Sequence, residues 1–135
     1  MTISSAEEFI RLRFSKDPDD YRRAANEPAS IQVWEDVIDR YPDARFWVAH
    51  NKTVPLEILT ILASDPDPRV RAMVVKKRKL TAELLAILAG DTDETVRMGV
   101  ARHARTPRSV LEGLATDSWE EIRSVVAERL HDLDK

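Results

Sequence analysis

Four aspartates stand 26 residues apart, at Asp39, Asp65, Asp91 and Asp117. A period of that length leaves few folds open, because repeats of about 20–50 residues mark supersecondary units that bury their apolar faces by stacking. Other positions keep the same phase. Valine recurs at Val48, Val74, Val100 and Val126, followed each time by a small apolar residue at Ala49, Val75, Ala101 and Ala127. Arginine recurs at Arg45, Arg71, Arg97 and Arg123. Later in the unit come Leu59, Leu85 and Leu111, then Leu62-Ala63, Leu88-Ala89 and Leu114-Ala115.

Each unit reads as two short helices. Asp67-Pro68 has the form of an N-cap followed by proline at the first helical position, where its missing N–H removes no bond. Val70, Met73 and Val74 then make an i, i+3, i+4 stripe, and the basic run Lys76-Lys77-Arg78-Lys79 closes the helix. Thr81 opens a second helix carrying Leu84, Leu85, Leu88 and Ala89. The next unit repeats the plan with Asp93, Val96 and Val100, then Thr106-Pro107, Val110, Leu111 and Leu114. Ser118-Trp119-Glu120-Glu121 has the form of a capping box for a last helix.

The N-terminal third is more degenerate. Ser5-Ala6-Glu7-Glu8 opens an amphipathic helix with Phe9, Ile10 and Phe14, and Asp17-Pro18-Asp19 echoes Asp65-Pro66-Asp67. Val33, Trp34, Val37 and Ile38 match Ile58, Leu59, Leu62 and Ala63 at an offset of 25. Terminal repeats are atypical because one face meets water. The expectation is an all-α solenoid forming one domain over 1–135, with a degenerate cap at 1–38, repeats at 39–64, 65–90 and 91–116, and a half-repeat cap at 117–135. At least seven helices are expected, with the valine file buried.

The phrase Asp65-Pro66-Asp67-Pro68-Arg69-Val70-Arg71, with Val74-Val75 and a later Thr-Pro before a leucine helix, resembles the leucine-rich repeat variant family and its broader HEAT-like relatives. The resemblance runs from about Asp39 to Leu130. It implies a right-handed superhelix of helix pairs, and leaves open whether one of each pair is α or 3₁₀. It implies no activity, since folds of this kind host many functions. Some members carry a cysteine-ligated iron–sulfur cluster, which this chain of zero cysteines cannot hold. Some HEAT-like proteins are DNA glycosylases with a basic, aromatic-lined concave face. A nucleic-acid-binding protein, divergent and glycosylase-like, is therefore the alternative reading.

Composition narrows the functional classes. Hydrophobic residues make up 43% and charged residues 33%, a globular balance. The start shows no secretory pattern, and no apolar run approaches the length of a membrane span, so a cytoplasmic location without membrane contact is expected. The net charge of -3 and pI near 5.6 argue against a general nucleic-acid binder. The charge is unevenly spread, however. Residues 1–68 hold 13 acids and 8 bases, residues 69–108 hold 4 and 10, and residues 109–135 hold 7 and 3, for -5, +6 and -4.

The candidate site follows from that basic middle. Lys76, Lys77, Arg78, Lys79, Arg102, Arg105 and Arg108 all fall near the end of a first helix or in the turn after it, which would gather them along one edge. Helix dipoles favour bases at C-termini, but do not explain why this stretch is denser in cations than the equivalent region around Lys52. Phe46 lies off the apolar stripe and is the candidate exposed aromatic, whereas Trp47 and Trp34 read as core. The sequence thus points to a non-catalytic scaffold that binds a protein partner, with an acidic segment as the natural match. The phased arginines read as ties to the repeated aspartates. His50, His103 and His131 stand too far apart for a metal site, and three glycines make no phosphate loop. No catalytic residue, cofactor or metal is nominated.

Overall fold

The computed structural model describes residues 1–135, and the chain forms ten α-helices and no strand. It divides into two compact units, Met1–Val74 and Val75–Lys135. The first holds α1 (Ala6–Arg13), α2 (Pro18–Asn26), α3 (Ile31–Arg40), a 3₁₀ turn (Pro42–Ala44), α4 (Arg45–His50), α5 (Leu56–Leu62) and nearly all of α6 (Pro68–Val75). The second holds α7 (Ala82–Leu88), α8 (Glu94–Arg102), α9 (Arg108–Leu114) and α10 (Glu120–Leu133). Most of these helices are two turns long and marginal alone, so burial of their apolar stripes supplies the stability. Phe9, Trp34, Val37, Ile58 and Leu59 are fully buried in the first unit, and Leu85, Leu111 and Ile122 in the second. Val48, Val74, Val100 and Val126 are each 0% exposed, as the phase predicts.

The repeated aspartates shape the turns that enter the first helices. Asp65 Oδ1 accepts the N–H of Asp67, and Asp67 Oδ1 accepts that of Arg69. Asp91 accepts from Asp93, and Asp93 from Thr95, in the same two steps. The N-terminal echo is genuine, since Ser15 Oγ accepts from Asp17 N–H and Asp17 Oδ1 from Asp19 N–H. Each step satisfies a donor that has no partner inside the helix.

The arginines tie these turns together. Arg97 Nε and Nη2 donate to the two carboxylate oxygens of Asp117 at 2.8 and 3.3 Å, while Nη1 donates to the Asp91 carbonyl at 2.9 Å. Arg45 pairs with Asp65 at 3.4 Å. Arg71 and Arg123 donate to the carbonyls of Asp65 and Asp117. Each arginine thus reaches the backbone six or seven residues before it, and Arg45 and Arg97 also reach an aspartate 20 residues ahead. The phase fails at Asp39, which is exposed. Arg45 Nε donates instead to the Ile38 carbonyl at 2.9 Å, because the 3₁₀ turn delivers α4 in a different register.

Two local expectations are corrected. Ser118 does not cap α10: its N-cap residue is Trp119, with no side-chain bond, and Asp117 Oδ1 takes the Trp119 N–H instead. Trp47 is not core. It is partly exposed, and the Arg13 guanidinium lies 3.3 Å above its ring centroid. The N-terminal segment carries one unforeseen feature, a parallel bridge between Ile3 and Ala29 that anchors the leading residues.

Candidate functional site: a basic groove in the second unit

The turn after each first helix follows a single rule, and the rule decides which cations face water. Three residues beyond Asn51, Lys77 and His103 come Val54, Leu80 and Thr106, all buried. Leu80 N–H and Thr106 N–H close back on the carbonyls of Lys77 and His103, and Thr106 Oγ1 donates to the Val100 carbonyl at 2.7 Å. With both ends of the turn drawn inward, the residues between them must point out. Arg78, Lys79 and Arg105 therefore stand exposed, as do Lys76 and Arg102 just before the inward residue.

That inward column was invisible in the sequence. Asn51 Nδ2 donates to the carbonyls of Ala24 and Glu27 at 2.7 and 3.0 Å, and its Oδ1 accepts from Thr53 N–H. His103 does the same with its ring, donating from Nε2 to the Lys77 carbonyl at 2.8 Å and accepting from Arg105 N–H at Nδ1. Nδ1 faces an N–H, so the proton sits on Nε2. Arg129 Nη1 donates to the carbonyls of Ala101 and His103. These side chains satisfy carbonyls at helix ends. Residue types this different, at one register, give no signal to a search for a shared motif.

Lys76, Arg78, Arg102 and Arg105 surround a groove of about 570 Å³, within the size range of ligand pockets. Its apolar floor comes from Val75, Met98 and Gly99. Gly99 is there for space: a Cβ at this position would lie 2.3 Å from Val75 Cγ1. No carboxylate lines the groove, and none of the four rim cations makes an ion pair. Arg102 and Met98 also border a shallower depression of about 440 Å³ that holds Glu120 and Glu121.

The other nominated residues fall elsewhere. Lys77 is half-buried, and burial, then the neighbouring Lys79, pushes its ammonium down to about 8. It belongs to the inward column and does not line the groove, nor does Lys79. Arg108 pairs with Asp134 at 2.6 Å and Glu112 at 3.4 Å and does not line the groove. Phe46 sits in the first unit, edge-on to Trp47 at 4.9 Å and stacked on His50. No group of three or more His, Asp or Glu side chains converges on a point, and no helix is long and apolar enough to cross a membrane.

What these features define is an all-helical protein with an unpaired basic groove. A scan against protein-family models finds no match, and comparisons with curated proteins and with solved structures find none either.

Proposed function

We propose that this chain is a non-catalytic binding protein of the leucine-rich repeat variant or HEAT-like kind, a right-handed solenoid of 26-residue units that captures an acidic protein segment. One observation carries the functional reading. Lys76, Arg78, Arg102 and Arg105 converge on an apolar-floored groove without a single carboxylate partner, in a chain whose net charge is -3. Exposed arginines such as Arg69, Arg40 and Arg108 do find acids. A segment with carboxylates flanking an apolar side chain would match both rim and floor, and its charge would speed encounter at low salt. The recurrent aspartate turns and arginine ties support the repeat assignment.

Fluorescence anisotropy with a labelled peptide of alternating glutamate and leucine tests the reading. Wild type should bind it, and a Lys76→Glu/Arg102→Glu double variant with unchanged circular dichroism should not. Equal binding by the folded variant would overturn it. Tighter binding of an oligonucleotide, with a steep loss on adding salt, would favour the nucleic-acid alternative.

A further inference from the structure

The first unit carries a second cationic cavity that shares no residue with the groove. It measures about 300 Å³ and is lined by Arg13 from α1, Tyr21 and Arg22 from α2, and Trp47 and His50 from α4, with Ala24 and Ala25 completing its wall. Arg13 is the unusual member. Its Nε is shielded from solvent and has no hydrogen-bond partner, and the guanidinium makes no ion pair. It is instead packed among aromatic rings, with Trp47 at 3.3 Å and both Phe14 and Tyr21 at 5.9 Å from its carbon. Desolvation lowers its pKa from the usual arginine value, opposed only by the Tyr21 hydroxyl.

Stacking on an indole holds a guanidinium in one plane and offsets part of its desolvation, but it supplies no counter-charge. A partly buried cation without an anion is an expensive arrangement. No acid lines the cavity, and Arg22 pairs with Asp19 at 3.1 Å where both side chains are largely exposed. Such a surface pair is weak, and Arg22 can turn from it to a stronger anion.

We propose that this cavity binds a phosphoryl group, held by the guanidinium groups of Arg13 and Arg22 with the Tyr21 hydroxyl and the His50 ring at its edge. Two guanidiniums and a hydroxyl offer more donors than the two oxygens of a carboxylate can use, whereas a phosphate presents three oxygens and a second charge. The space suits a phosphate with a small substituent. The fixed plane of Arg13 gives the bidentate geometry such oxyanions prefer.

Trp47 reports on the site directly. In the full-length protein, labelled at its three tryptophans, the Trp47 indole N–H resonance is followed by NMR during titration with inorganic phosphate, a phosphoserine tripeptide and acetate. The expected result is a saturable shift with phosphate in the millimolar range, and none with acetate. Tighter binding of the tripeptide would identify a phosphorylated chain as the source of the group, and equal or weaker binding would identify free phosphate. Arg13→Gln should weaken phosphate binding about tenfold or more. Arg22→Ala, which alters only an exposed side chain, should weaken it several-fold even if Arg13→Gln compromises folding. No saturable shift with phosphate, equal saturation by acetate, or unchanged affinity in folded Arg22→Ala would overturn the proposal.

Discussion

His103 Nε2 donates to the Lys77 carbonyl at 2.8 Å while Nδ1 receives the Arg105 N–H, so this histidine is a structural clasp in the midst of a basic edge. Asn51, two periods earlier, makes the same paired arrangement with its amide. Asparagine should therefore substitute for the imidazole. His103→Asn is expected to keep most of the stability. His103→Ala removes one of the two donors to the part-buried Lys77 carbonyl, which keeps the Leu80 N–H, and the acceptor of the Arg105 N–H, and should lose about 1–2 kcal/mol. Urea denaturation of the two variants checks the difference.

Arg97 and Asp117 form a well-sheltered ion pair, with side chains 15% and 7% exposed. Arg97→Ala leaves that carboxylate buried without its partner, so a loss of about 2–4 kcal/mol is expected in chemical denaturation. Arg69→Ala removes an exposed arginine from a similar pair with Asp67, and its unfolding midpoint should stay where it is.

The same pair fixes the acid limb of stability. The hydrogen bonds from Arg97 hold the Asp117 carboxyl below its ordinary 3.8. The folded state therefore binds its proton less readily than the unfolded state, and the stabilisation present above pH 4 is lost as pH falls through the folded value. Lys77 acts at the other end. With its ammonium depressed from 10.5 to about 8, the unfolded chain holds more protons between those values, so stability should rise with pH there. Urea midpoints measured from pH 2 to 10 should show a shallower acid loss in Arg97→Ala and a flatter alkaline rise in Lys77→Met.

Two glycines in helices should respond with opposite sign. Gly113 in α9 has nothing within 4 Å of a would-be Cβ, so Gly113→Ala should gain up to about 1 kcal/mol from helix propensity. Gly99→Ala drives a methyl against the stiff branched side chain of Val75 and should cost about 1–3 kcal/mol. Val75→Ala in the same chain should recover much of that loss, which thermal unfolding of the double variant checks.

The helical architecture was legible because period and stripe are properties of residue type. Asp65, Asp91 and Asp117 announced their turns, and Arg97 announced its ties, since both act on groups a fixed number of residues away. The candidate site was legible only in part. A run such as Lys76 to Lys79 records charge, but direction depends on which neighbours are drawn inward, and Leu80 and the Lys77 position decide that. Arg108 is matched by Asp134, just past the end of α10, a contact that no spacing announces. Trp47 aligned with Met73 and Gly99, yet it serves as a platform for Arg13, which no spacing connects to it. Contacts between elements of different register leave no periodic trace.

The close seating of Gly99 on Val75 also bears on how such a chain can change over generations. Segments that share a framework of turns invite duplication and exchange, and Trp47, Met73, Gly99 and Val125 stand 26 residues apart in the same phase. A recombination that copied the 65–90 segment over 91–116 would preserve every aspartate and arginine of the framework, yet place methionine where only a hydrogen fits. Such a copy would arrive with its groove filled and its packing strained. The 91–116 segment is therefore not interchangeable with 65–90, and substitutions at positions 75 and 99 are expected to be accepted together or not at all.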